Sequence, residues 1–149
     1  MKKLLVSLAL LLALLAPGSA QSAATTPSTA SVPDIVTKGF DAYNKSYRDA
    51  VDVWFQDSAL GKDTATKVNF LTALSGFETG YGKYIGWELL KVVNLTPSTN
   101  IVYAVLKFEN GPVWMAFMCY KPKDQWIVSS MNLNQNPQPI LPAPMLAGQ

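Results

Sequence analysis

The sequence predicts an α+β domain, with three N-terminal helices packed on a curved four-stranded antiparallel sheet. Three observations predict it. The apolar period changes from helical to alternating near Gly82. Short turn signals separate the later apolar segments. Both faces of the central hairpin are apolar, so each side of the sheet needs a cover.

The first helix opens at Pro33, whose fixed φ suits a first helical turn. Val36, Phe40, Tyr43 and Tyr47 recur at helical spacing, and Asn44 and Lys45 interrupt the stripe. Ser46 followed by Asp49 resembles a capping box for a short second helix carrying Ala50, Val51, Trp54 and Phe55. Leu60-Gly61-Lys62 reads as a turn. Asp63 or Thr64 caps a third helix with Phe70, Leu74, Phe77 and Tyr81 on one face, ended by Gly80 and Gly82.

Residues 84–95, 100–109, 112–121 and 125–134 read as strands. Residues 96–99 form one turn and Lys121-Pro122-Lys123-Asp124 another. Asn110-Gly111 favours the positive φ angles of a two-residue hairpin, which places Glu109 opposite Pro112. One face then carries Val102, Ala104, Leu106 and Phe108 with Val113, Met115, Phe117 and Cys119. The other carries Ile101, Tyr103, Val105 and Lys107 with Trp114, Ala116, Met118 and Tyr120.

The ends of the chain differ from this core. Lys2 and Lys3 precede an apolar run over residues 4–16, and Gly18-Ser19-Ala20 supplies a small-residue cleavage site. The run is shorter than the ~20 residues that span a bilayer. The sequence therefore predicts a cleavable signal peptide over 1–20, cut after Ala20, and a periplasmic or secreted protein with no stable membrane anchor. Residues 21–32, rich in Ser, Thr and Ala, read as a flexible linker to a domain over 33–135. Residues 136–149 carry four prolines and read as an extended or disordered tail.

Composition excludes several chemistries. Removing 1–20 lowers Lys plus Arg from 12 to 10, equal to the 10 acidic residues. A neutral chain lacks the clustered basic surface that nucleic acid needs. The absence of histidine removes Ser–His and Cys–His catalysis and histidine metal sites. Cys119, the single cysteine, has no intramolecular disulfide partner and reads as a buried structural thiol. No cofactor, metal site or catalytic residue is called. Asp49 and Asp52 lie three apart on the second helix and read as a solvated face rather than an acid–base pair. Glu88 can fall opposite Lys107 as a cross-strand ion pair.

The aromatics are more informative. Phe70, Trp87, Leu106, Met115, Phe117 and Trp126 are candidates to line an apolar pocket between the third helix and the inner sheet face, with plain core as the alternative. Asn69, Ser130 and Asn132 could supply its polar groups. Tyr103, Trp114, Met118 and Tyr120 form an outer patch. Aromatic side chains bury ~150–250 Å² each, so the patch reaches what a monomer rarely exposes. A homodimer pairing this patch with its own copy is the expected cover, since an isologous interface is the simplest. The tail, with Ile140, Leu141 and Met145, is the competing cover.

The stretches from Gly82 to Leu90, from Phe108 to Trp114, and from Trp126 through Asn132-Leu133-Asn134 to Pro137 resemble junctions of small exported bacterial proteins of the nuclear transport factor two-like superfamily. The resemblance covers residues 68–137 and implies a cone-like fold and sheet-to-sheet pairing. It also implies a superfamily that hosts both binding modules and enzymes with an Asp, His or Tyr in an apolar pocket. The reading is an exported non-enzymatic domain that binds a protein partner or a small apolar ligand. The alternatives are a small pocket enzyme of isomerase, dehydratase or hydrolase type using a carboxylate or tyrosine, and a structural homodimeric subunit.

Overall fold

Two side-chain caps start helices at the expected places. Ser46 Oγ accepts the Asp49 N–H at 3.1 Å and opens α2 (Tyr47–Phe55), directly after α1 (Asp34–Tyr43). Asp63 Oδ1 accepts the Thr66 N–H at 3.1 Å and opens α4 (Thr64–Tyr81). Gly82 ends that helix at φ 83°, a conformation that favours glycine. The computed structural model describes residues 31–147. The expected signal peptide and the linker as far as residue 30 lie outside the described residues.

The protein is α+β. Four antiparallel strands follow α4 in meander order: β1 (Tyr84–Thr96), β2 (Thr99–Phe108), β3 (Gly111–Tyr120) and β4 (Ile127–Asn134). Two local readings need correction. The expected turn at Leu60-Gly61-Lys62 is a one-turn helix, α3 (Ala59–Lys62), so among the described residues four helices precede the sheet. Ser58 Oγ donates to the Phe55 carbonyl, and Gly61 lies so close to that carbonyl that a Cβ would overlap it. The short helix is thereby folded onto the end of α2.

The hairpin register is the second correction. Phe108, not Glu109, pairs at the tip, opposite Gly111, and neither Asn110 nor Gly111 takes a positive φ. Tertiary contacts override the local turn preference. The Glu109 N–H donates to Lys83 O at 3.0 Å, and the Asn110 N–H donates to Tyr81 O at 2.8 Å. Gly111 serves close approach, since a Cβ there would come within 3.0 Å of the Tyr81 ring. The slip is two residues, so it preserves which side chains share a face. Val102, Ala104, Leu106, Phe108, Val113, Met115, Phe117 and Cys119 are all buried on the inner face.

The tail over 136–149 reads from the sequence as extended or disordered. Through Ala147 it has a defined course ending in a one-turn helix, α5 (Ala143–Leu146). Ile140 and Leu141 N–H groups both donate to Pro137 O, and Leu141 is buried. Pro139 and Ile140 lie across the outer sheet face.

Candidate functional site

The inner sheet face is where a pocket was expected, and its residues decide whether one exists. Leu106, Met115 and Phe117 come together there and are fully buried. Side chains from α1 and α2 reach Phe117, and Leu74 of the long helix α4 is fully buried in the same core. Phe40 stacks on Trp87 at 4.2 Å between ring centroids and meets Phe117 edge-on at 5.6 Å. Trp54, fully buried, sits 5.2 Å from Phe40 and 5.3 Å from Phe117. Its indole N–H donates to Val36 O at 3.2 Å, so the polar atom is satisfied inside the core. These rings fill the inner face beside Trp87 and Phe117.

Phe70 and Trp126 lie apart from that centre. Phe70, on α4, meets Phe55 edge-on at 5.3 Å and borders a shallow 240 Å³ cleft with Asn69, Asn132 and Leu133. Trp126 lies under the Lys121 ammonium, 5.2 Å from the ring centroid, beside a polar 230 Å³ cleft containing Asp34, Asp57 and Asp124. Around Phe117 the inner face is packed by side chains of the first two helices. These helices come so close because Gly39, buried on α1, lies against the pyrrole edge of Trp54 and leaves no room for a Cβ. A glycine inside an otherwise helical stripe was the available signal.

The charged candidates are peripheral. Asp52 pairs with Lys67 of α4, and both are substantially exposed. Glu88 and Lys107 form an ion pair at 2.8 Å across a diagonal, because Glu88 stands opposite Val105.

Two buried hydroxyls stand out. The Tyr43 and Tyr84 rings lie 4.2 Å apart, and among the described residues neither hydroxyl has a hydrogen-bond partner. Burial pushes the Tyr43 phenol far above its ordinary pKa, and the nearby Glu78 carboxylate adds to the rise. Burial, helped by the Asp41 charge, pushes Tyr84 up to about 12. An unsatisfied buried polar group costs about 1–3 kcal/mol. Tyr84→Phe is expected to leave stability unchanged or raise it by up to about 1 kcal/mol, read from urea denaturation midpoints.

Cys119 is fully buried as expected, and burial pushes its thiol up to about 12. Raised pKa values of the thiol and of Tyr84 give stability that is complete below their unfolded values, near 9.0 and 10.0. It is lost as the unfolded chain releases protons that the folded chain retains. These two groups leave stability unchanged between neutrality and about pH 9 and then make it fall, each titrating group steepening the fall by about 1.4 kcal/mol per pH unit. Cys119→Ala should delay that onset by about one unit, seen in urea midpoints between pH 8 and 11.

Two surfaces remain. A 680 Å³ open groove runs between α2 and α4, with Tyr47 and Arg48 on one wall and Val68, Leu71, Gly76 and Gly80 on the other. The outer sheet face carries the expected interface residues. Met118 and Tyr120 are 40% and 42% exposed, whereas Tyr103 and Trp114 are half-buried. The face expected to pair with a second copy is the one on which the C-terminal segment lies.

Comparison with protein-family models, curated proteins and solved structures finds no significant match.

Proposed function

We propose that the chain is an exported, non-catalytic binding domain with the cone-like architecture of the nuclear transport factor two-like superfamily, and that it engages a protein partner through its surface. The filled interior carries this reading. Phe40 and Trp54 pack against Phe117, which with Leu106 and Met115 is fully buried in one cluster, where a small apolar ligand or substrate would need open volume. Polar side chains that could do acid–base work, such as Asp49, Asp52 and Glu88, face water. Export rests on the charged, apolar and small-residue order of residues 1–20.

The test is a titration of the mature chain, residues 21–149, with the apolar dye N-phenyl-1-naphthylamine. A filled interior gives no saturable fluorescence rise. A saturable one-to-one rise that Leu106→Trp abolishes would contradict it and return the small-ligand reading.

A second reading, a pocket enzyme using tyrosine, draws on the unpartnered Tyr43 and Tyr84 hydroxyls beside Glu78 and Asp41. The Tyr84→Phe measurement bears on it. Stabilisation marks a hydroxyl accommodated at a cost in a site evolved for something else, while a loss of stability marks a hydroxyl bonded to water inside the fold.

A further inference from the structure

We propose that the outer sheet face is a docking surface for an extended proline- and aliphatic-rich segment of a partner protein, and that residues 137–147 are a strap holding that place in cis. The proposal rests on the partner-binding reading and gives it a site and a chemistry.

The strap itself shows what the face accepts. Pro139 and Ile140 lie over Ile101, Tyr103, Ala116 and Met118, all on the outer face. Val105 of the same face is 7% exposed and Leu141 is 8% exposed, yet neither belongs to the interior cluster. Both are therefore buried outside that cluster, as an outer-face residue and its covering strap should be. Pro142 has φ −64° and ψ 149°, the left-handed extended conformation that proline-rich ligands bring to aromatic-lined surfaces.

The strap is built to leave. Its turn satisfies itself, since the Ile140 and Leu141 N–H groups both bond to Pro137 O at 3.0 and 2.7 Å. Among the described residues, no hydrogen bond joins 137–147 to the sheet. Side-chain contact alone holds it. The fit is also incomplete: a 200 Å³ cleft remains between Ile140 and the face, with Ser130 and Asn132 at its border. A partner segment that fills the cleft and covers Met118 and Tyr120 buries more apolar surface than the strap does.

The experiment uses the full mature chain carrying Leu141→Asp, which undocks the strap without shortening it. The probe is a fluorescein-labelled peptide of residues 136–147, followed by anisotropy. The variant should bind the peptide saturably, and the wild type at least tenfold more weakly. Ala116→Arg added to the variant should abolish binding. A folded variant that binds no better than wild type overturns the proposal, as does binding that survives Ala116→Arg. Self-association of the variant that the peptide does not reverse assigns the face to a second copy and overturns it too. If both Leu141→Asp and deletion of 137–149 unfold the chain, the strap is an inseparable part of the fold and the proposal fails. A failed peptide titration beside a flat dye titration overturns this inference alone.

Discussion

Trp54→Ala is expected to destabilise the domain by about 3–5 kcal/mol, the cost of truncating a fully buried aromatic side chain. Three contributions combine at this residue. Its ring fills the space between α1, α2 and the inner face of β3, where Phe40 and Phe117 lie 5.2 and 5.3 Å away. Its N–H satisfies Val36 O, one turn before the glycine it packs against. Its removal leaves a void that fixed strands cannot close. Domains of this size have roughly 5–15 kcal/mol in total, so the variant should sit near the edge of folding. Chemical denaturation with tryptophan-independent detection, such as far-ultraviolet circular dichroism, measures the loss.

Gly39→Ala is expected to cost about 3 kcal/mol, the upper end of what overpacking costs. Alanine is normally the better helix residue by about 1 kcal/mol, so local propensity alone gives the opposite sign. The sign reverses because the new methyl would overlap Nε1, Cδ1 and Cε2 of Trp54. The indole is rigid and held at Val36 O, and it cannot yield without losing that bond. The two substitutions should be non-additive. With Trp54 already replaced by alanine, Gly39→Ala should become neutral or stabilising, a coupling that a double-mutant cycle isolates. A Gly39→Ala protein as stable as wild type would mean that the two helices are not this close.

The contrast between these two residues shows what the sequence made legible. Periodicity announces that Trp54 is core, since it lies with Ala50, Val51 and Phe55 on one face of a capped helix. It does not announce that α1 and α2 bring Phe40 and Trp54 onto Phe117 of the inner face. That arrangement depends on Gly39 allowing the two helices to approach. The strands were legible nearly residue by residue, because alternation, Pro97, Pro122 and the Asn110-Gly111 pair bracket them. The hairpin register was not, because hydrogen bonds from the α4–β1 junction at Tyr81 and Lys83 outcompete the turn that Asn-Gly prefers alone.

The candidate site was legible in its residues and not in its arrangement. Leu106, Met115 and Phe117 do share the inner face, as strand alternation requires. Whether a face encloses space or packing depends on the side chains that arrive from elsewhere, here Phe40 and Trp54. The outer face was recognised as needing a cover. Composition pointed to disorder for the tail, since four prolines weaken regular structure. Proline also lowers the entropy lost when an extended segment docks, and Ile140 and Leu141 supply apolar side chains to bury. The same residues that read as a solvated tail are suited to a strap.

The filled interior over Leu106, Met115 and Phe117 is tested most directly by the stability of Met115→Trp. Met115 is fully buried between the helices and the sheet. In a packed interior the larger side chain has no room, and the urea midpoint should fall by the equivalent of about 1–3 kcal/mol. A Met115→Trp protein with the wild-type midpoint, or a higher one, would mean that a cavity large enough for an indole lies beneath the helices, and would contradict the account.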